Sequence, residues 1–479
     1  MSFLSLSNKQ TVLAIIYVNI ALYALCFQMQ RPLEPFLVEQ LGKKRLENGG
    51  GQGDTGEALD SAAQYTKLQS FFSMVQVVGS LASGPLLDRF GAKGGFFINF
   101  LCSAMSYYIL SLSTSMDVLY FSKIPSVFQA GYLCGQLAIS QITEEGQERT
   151  GALGKLTTAY LVGNFIGPAL GGVLGADGDY FYGAKVATVG SLLSCVIVLF
   201  MPLTEATSDF RKLHSSDGDG RGEGNGGGDG QELDKSKPKT ANSVSGGYQL
   251  VLQSVWLLLS CKLISGVANA LTGAVLPLVL KNVYLLDEKQ MGYSMSLMPL
   301  INAFLGLALT TIISLAGGNI AAISLCLSSS ASVYIVQAML THPSIGESVP
   351  GLAAGATGAM VAYLTTQLLL SMPQFVLASA ITSESTSRVA SNLQGTLLGM
   401  EHGLFAAVRI ATPTLGASIL NAGGVTAVSG TCALIYCSIA ALFTIYRERL
   451  VVGKEKGKSS ASGKSIDKRE KTAEEYKRR

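Results

Sequence analysis

The chain has 479 residues, of which 48% are hydrophobic and only 14% are charged, whereas an average soluble domain carries about 25% charge. Of the 67 charged residues, 35 lie outside the segments 204–247 and 447–479, which is too few to coat a water-exposed surface and excludes a soluble enzyme. The net charge of +3 gives no indication of a nucleic-acid partner, and the eight cysteines lack the CxxC spacing of disulfide or metal sites.

A bilayer core about 30 Å thick needs roughly 20 residues of helix, and the sequence contains twelve apolar stretches of that kind. They predict an all-α membrane protein whose spans, numbered 1 to 12, cover residues 11–40, 66–87, 94–114, 117–141, 150–175, 184–203, 250–281, 290–314, 318–340, 351–381, 392–420 and 425–446. The predicted organisation is a six-helix bundle at 1–203, a flexible cytosolic linker at 204–247, a second six-helix bundle at 248–446 and a basic cytosolic tail at 447–479.

Well inside span 1 lie two charged residues, Arg31 and Glu34, whose spacing places them on one face of a helix. A charge near mid-bilayer costs roughly 2.5–3.5 kcal/mol, so such groups should face a wet cavity or one another. Both a local ion pair and a substrate or proton site fit these residues.

The connection between spans 2 and 3 combines an acid, two bases and two glycines. They are Gly84, Asp88, Arg89, Gly91 and Lys93. Glycine permits a tight turn, and the carboxylate can lie against the positive end of a helix. This pattern resembles the GxLxDRxGxK gating motif of the major facilitator superfamily. The resemblance implies that Asp88 joins the cytoplasmic ends of the two halves near Ser391 and Asn392, whereas the alternative is a solvated turn.

Span 4 contains Lys123 close to its outer end, where we expect the side chain to extend to the membrane surface. It also contains Gln129 and Gln136, which are seven positions apart and could line a cavity as neutral hydrogen-bonding groups.

Span 5 has glycines at intervals of four residues, which leave a bare stripe where another helix can approach. The residues are Gly163, Gly167, Pro168, Gly171 and Gly172. They resemble the superfamily's antiporter motif GxxxGPxxGG, and this resemblance implies a proton-coupled exporter. Close helix packing without a transport role is the alternative.

In the second half, the ionisable residues of the spans are Lys262 in span 7 and Glu401, His402 and Arg409 in span 11. Glu401 and His402 are the best proton carriers by chemistry, because burial disfavours a carboxylate's charge and imidazole titrates near neutrality. Lys262 lies too deep to reach the surface. A helix-packing network is the alternative for this group. Span 10 repeats the glutamine spacing of span 4, with Gln367 and Gln374.

The two halves also match at an offset of 245 residues, which pairs Pro32 with Pro277, Gln129 with Gln374 and Pro168 with Pro413. Such repeats place a binding site between the halves near mid-membrane.

Lys and Arg outside the spans number 24 on one side and seven on the other, which predicts that both termini are cytoplasmic. The linker and tail carry that difference, since the short loops are nearly balanced.

Superfamily resemblance covers nearly all of residues 11–446, and the chain also resembles the organic-cation-transporter-like, or tetracycline-transporter-like, branch. The expected function is alternating-access transport of a small organic, amphipathic and cationic solute by proton antiport, in a monomer without a cofactor or metal. The alternatives are a facilitative uniporter or symporter of a metabolite, and a receptor or scaffold on a transporter fold. The sequence lacks nucleotide-binding and metalloenzyme motifs, so no enzyme is expected.

Overall fold

The computed structural model describes residues 2–49, 57–143, 147–202, 242–342, 356–389 and 394–477. Within these ranges the chain is helical and contains no strand, and nine helical segments have the length and apolarity to cross a bilayer. The predicted all-α membrane fold is confirmed, and each predicted span coincides with helical structure.

The helices of the first half follow the predicted spans closely. Span 1 consists of the helices Ser2–Met29 and Glu34–Gly49, and spans 2 and 3 lie in the helix Glu57–Ser111. Span 4 has three parts: the helix Met116–Ser122, a 3₁₀ turn at Ile124–Phe128 and the helix Gly131–Ile142. Span 5 is the helix Gln147–Gly175, and span 6 is the helix Tyr182–Leu199. Spans 1 and 4 are interrupted where Pro32 and Pro125 occur, because proline removes a helical hydrogen bond.

The helices of the second half are longer. Span 7 is Asn242–Leu278 followed by a π turn at Val279–Val283, span 8 is Glu288–Leu315, span 9 is Asn319–Leu340, span 10 is Ala356–Arg388, and spans 11 and 12 lie in Gln394–Lys477. The helix of span 7 begins inside the predicted linker, whose residues 204–241 lie outside the described ranges. The predicted tail continues the last helix to Lys477.

Two glycines with positive φ separate the helices that would otherwise be continuous. Gly91 (φ 66°) turns the chain between spans 2 and 3, and Gly424 (φ 65°) turns it between spans 11 and 12. This backbone region is strained for residues with a Cβ atom. The sequence predicted a longer connection after span 2, but the helix continues through Asp88 up to Gly91.

Each half has its own apolar core. Ile20, Phe96 and Phe100 belong to the first core, and Leu258, Tyr334 and Tyr436 belong to the second. Two further clusters contain residues of both halves, all near the end of the spans that lies away from the chain termini. We call this end the outer end.

Polar contacts also join the halves at the outer end. The ammonium group of Lys281 donates to the Pro35 carbonyl at 2.7 Å and pairs with Glu39 at 2.5 Å, and the Tyr180 hydroxyl donates to Glu288 at 2.7 Å. These three interactions, called the outer contacts below, hold the two bundles together on that side.

Candidate functional site

Span 5 packs directly on span 1, and this contact sets the position of the candidate site. A Cβ atom added to Gly163, Gly167 or Gly171 would overlap the backbone of span 1, at Ala21, Leu25 and Met29 respectively. Gly172 instead faces Glu288 and Gly292 of span 8, in the other half. The glycine motif therefore supports the first half internally and touches the second half at one point.

Arg31 lies in the turn between the two helices of span 1 and its side chain is exposed. Its guanidinium group donates to Gln28 Oε1 at 3.5 Å, and the amide of Gln28 donates to Asn164 Oδ1 of span 5 at 3.1 Å. The polar chain of Gln28 and Asn164 thus connects Arg31 to span 5.

Glu34 is buried and forms an ion pair with Lys123 of span 4. Its second oxygen accepts a hydrogen bond of 2.5 Å from Gln69 of span 2. An ion pair between Glu34 and Arg31 was one of the two possibilities from the sequence, and in the structure Glu34 instead pairs with Lys123. The expectation that Lys123 reaches the membrane surface is wrong, because its side chain is 8% exposed and turns inward to the carboxylate.

The second half contains a corresponding pair, Lys262 of span 7 with Glu401 of span 11. Lys262 also donates to Thr382 of span 10 at 2.7 Å, and its ammonium group lies 5.9 Å from the ring centre of Phe405. Glu401 is 4% exposed, and its Oε1 atom has no hydrogen-bond partner within the described ranges. One oxygen of this acid is therefore held by lysine while the other remains available.

Arg409 lies midway along the helix of span 11, enclosed by the protein but accessible to water. Tyr160 of span 5 is close enough to interact electrostatically with both Arg409 and Arg31. The structure thereby brings Arg31 and Arg409, one from each half, to the same part of the molecule. The side chain of His402 lies outside the described residues, so its predicted proton role stays a prediction.

The four glutamines that could line a cavity have different surroundings in the structure. Gln374 donates to the Tyr334 hydroxyl of span 9 at 3.1 Å, and Gln367 borders a space for about one water molecule inside the second half. Gln129 is buried in the first half, and its backbone carbonyl accepts a hydrogen bond from the Tyr23 hydroxyl at 3.4 Å. Gln136 is partly exposed.

The motif between spans 2 and 3 is described only in part. Lys93 donates to the carbonyl of Leu199 at 3.0 Å, which satisfies a backbone group at the end of span 6. Arg89 is exposed, with its guanidinium carbon 5.6 Å from the ring centre of Phe90. The side chain of Asp88 and residues 390–393 lie outside the described part, so the predicted contact with Ser391 and Asn392 remains a prediction.

Sequence reasoning missed the outer contacts and a polar cluster at the other end of spans 9 and 10. There Glu384 is fully buried, accepts from Arg388 at 2.8 Å and accepts from Asn319 at 3.2 Å. The four-residue spacing of Glu384 and Arg388 was the available signal for this ion pair. For the outer contacts the sequence signal was weaker: Lys281 is a lone cation at the end of an apolar span.

Comparison with known proteins gives consistent results. A family model described as Major Facilitator Superfamily matches residues 16–400. Solute carrier family 22 member 18 of Mus musculus is 24% identical over 422 residues, covering 87% of this chain and 91% of that protein. The class H tetracycline resistance protein of Pasteurella multocida is 30% identical over 146 residues, which are 30% of this chain and 36% of that protein.

Among solved structures, a crystal structure of the peptide transporter POT in complex with sulfate has a similar fold. The TM-score is 0.63 at 13% sequence identity, and the alignment covers 91% of this chain and 94% of that chain. The predicted family resemblance and the two-bundle fold are confirmed by these matches.

Proposed function

Because the chain belongs to the Major Facilitator Superfamily and is a multi-pass membrane transporter of small solutes, we propose that it is a proton-coupled antiporter that exports a small organic solute by alternating access. The matching relatives include a protein named for tetracycline resistance, which supports export. The orientation that we propose places both termini in the cytoplasm, and the transporting unit is the monomer.

The observation that carries the proposal is the presence of one buried acid–lysine pair in each half, Glu34 with Lys123 and Glu401 with Lys262. A buried carboxylate is stable as an anion while lysine neutralises it, and it gains a proton when the lysine moves away. A conformational change that separates such a pair therefore changes the number of bound protons. The Oε1 atom of Glu401, which has no hydrogen-bond partner among the described residues, provides a place for that proton.

Alternating access is supported by the contacts that join the two halves at the outer end. The outer contacts and the apposition of Gly172 with Gly292 join the halves at the outer end. Transport requires the outer contacts to break while others form at the opposite end. Asp88 and the start of span 11 are the candidates for the opposing set, in line with the gating motif.

The test is transport by the purified protein in proteoliposomes under an imposed pH gradient. Solutes are first chosen by their ability to raise the thermal stability of the protein at two pH values. We expect uptake of a selected solute to follow the gradient and to move protons in the opposite direction, reported by a trapped pH-sensitive dye. Flux that ignores the gradient would favour the uniporter, and protons moving with the solute would favour the symporter.

A receptor or scaffold role is the second candidate and makes a different prediction. Such a protein would show no flux of any stabilising solute, and a partner would bind residues 204–247. Deletion of that segment separates the two, because a transporter should retain flux while a scaffold should lose its partner.

A further inference from the structure

The charged residues that lie more than five positions inside the predicted spans do not balance. Four are basic and two are acidic: Arg31, Lys123, Lys262, Arg409, Glu34 and Glu401. Both acids are paired with lysines. Two arginines are left, and guanidinium groups remain charged at any physiological pH.

Arg31 has no carboxylate partner in the described part of the chain. The nearest acid in sequence, Glu34, uses one oxygen for Lys123 and the other for Gln69. The guanidinium group makes a single long hydrogen bond, to Gln28, so most of its donors are free. Asn164 holds Gln28 in place, which fixes the direction in which Arg31 points without neutralising it.

Arg409 is likewise without a hydrogen-bond or ion-pair partner among the residues that the structure describes. It lies about 20 Å from both Gln394 and the turn at Gly423, which places it near the middle of the membrane. The side chain is exposed although protein surrounds it, and this combination favours a position on an internal cavity over one that faces lipid. Arg31 is close enough for the two positive charges to repel each other.

We propose that the transported solute is an organic anion, whose acidic group binds between the guanidinium groups of Arg31 and Arg409 and whose apolar part lies against Tyr160 and Tyr132. This inference deepens the proposed function, on which it rests, by assigning the class of solute. It differs from the cationic solute that the sequence resemblance suggests, and the experiment below separates the two.

The chemistry of the site favours an acid for three reasons. Two positive charges on opposite sides of one cavity repel each other, and an anion bound between them removes that repulsion. The planar fork of arginine donates two parallel hydrogen bonds to a carboxylate, sulfonate or phosphate. The rings of Tyr160 and Tyr132, whose centres are 5.3 Å apart, offer an aromatic surface beside the charges.

The position of the two arginines also suits alternating access. Arg31 belongs to the first half and Arg409 to the second, so an anion between them contacts both halves at once. At the repeat offset of 245 residues, Arg409 corresponds to Asn164, the residue that orients the Gln28–Arg31 chain. Equivalent positions of the two halves therefore serve the same proposed site, one directly and one through Gln28.

The test measures binding by the full-length protein in detergent, with three probes of one shape: naphthoate, naphthamide and naphthylmethylamine. We expect naphthoate to raise the melting temperature in a saturable manner while the amide and the amine do not. Arg31→Gln and Arg409→Gln should each weaken the apparent affinity for naphthoate by about tenfold or more, since each removes a charged hydrogen-bond donor to the carboxylate. Arg409→Lys should retain part of the affinity.

The matched control is Lys185→Gln, which removes one positive charge from an exposed ion pair with Asp179 at the outer end of span 6 and should leave binding unchanged. Equal stabilisation by the amine, or undiminished naphthoate binding by both arginine variants, would overturn the proposal. Should a variant not fold, counterflow of labelled naphthoate by the wild type, with the amine as competitor, distinguishes an anion site from a cation site in the same way. Anion binding that depends on the arginines, together with flux that ignores a pH gradient, would instead reject only the proton coupling.

Discussion

At the scale of single residues, the buried ion pairs decide how this protein holds charge inside a membrane. Glu34 and Lys123 come from spans 1 and 4, and Glu401 and Lys262 come from spans 11 and 7. Removing one member of a buried pair leaves an uncompensated charge, which costs about 3–5 kcal/mol, whereas replacing both members is often neutral. This asymmetry gives a direct test of the pairing.

We expect Lys123→Met to destabilise the protein by about 3–5 kcal/mol, because Glu34 would remain buried with Gln69 as its described partner. The double variant Lys123→Met with Glu34→Gln should recover most of that loss. Thermal unfolding in detergent provides the measurement. A double variant no more stable than Lys123→Met would contradict the pairing.

Glu401 allows a prediction about coupling. Glutamine keeps the size of the side chain but cannot exchange a proton, so Glu401→Gln should abolish flux driven by a pH gradient while solute exchange at equal pH persists. Proteoliposome assays of gradient-driven uptake and of exchange provide the comparison, with the exposed Asp179→Asn as the carboxylate control. Undiminished gradient-driven uptake by Glu401→Gln would remove this acid from the proton role.

At the scale of helices, the contact between spans 1 and 5 depends on missing side chains. Gly171→Ala would place a methyl group into the backbone at Met29, whereas Gly154, in the same helix, has open space around it. We expect Gly171→Ala to cost about 1–3 kcal/mol through overpacking and to reduce transport. Gly154→Ala should be neutral or slightly stabilising, since alanine favours helix. Equal melting temperatures for the two variants would contradict this packing.

The helices themselves could be predicted from the sequence, but the directions of several polar side chains could not. Apolar stretches of about 20 residues identify spans because the bilayer fixes their length. Lys123 was misassigned because a lysine near a span end can extend outward or turn inward, and only the presence of Glu34 on a distant span decides it. The glutamines of span 10 illustrate the same limit, because the partner of Gln374 is Tyr334 on span 9.

At the scale of the whole molecule, the outer contacts determine which end is closed. Lys281 bridges Glu39 and the Pro35 carbonyl, so Lys281→Glu should weaken closure, and adding Glu39→Lys should partly restore it. Spin labels at positions 185 and 285, both exposed at the outer end, report the separation of the halves. A distance distribution identical in wild type and Lys281→Glu would exclude a role in closure.

The outer contact between Tyr180 and Glu288 leads to a prediction about pH. Burial, together with the hydrogen bond to Glu288, raises the pKa of Tyr180, so its hydroxyl stays protonated and able to donate above the usual tyrosine range. A raised pKa means that the contribution is present below the unperturbed value and is lost only as pH rises past the folded one. Tyr180→Phe should therefore lengthen the same spin-label distance by an equal amount at neutral pH and at about pH 10.

The apposition of Gly172 with Gly292 implies where the molecule can pivot. Two backbones that meet without side chains between them can slide over one another without any rotamer having to change, so this crossing of spans 5 and 8 can persist while the rest of the interface rearranges. The axis of the rocking motion would then pass through that crossing. A bulky residue at either position would act as a spacer, and the protein would be left unable to swing between its two orientations.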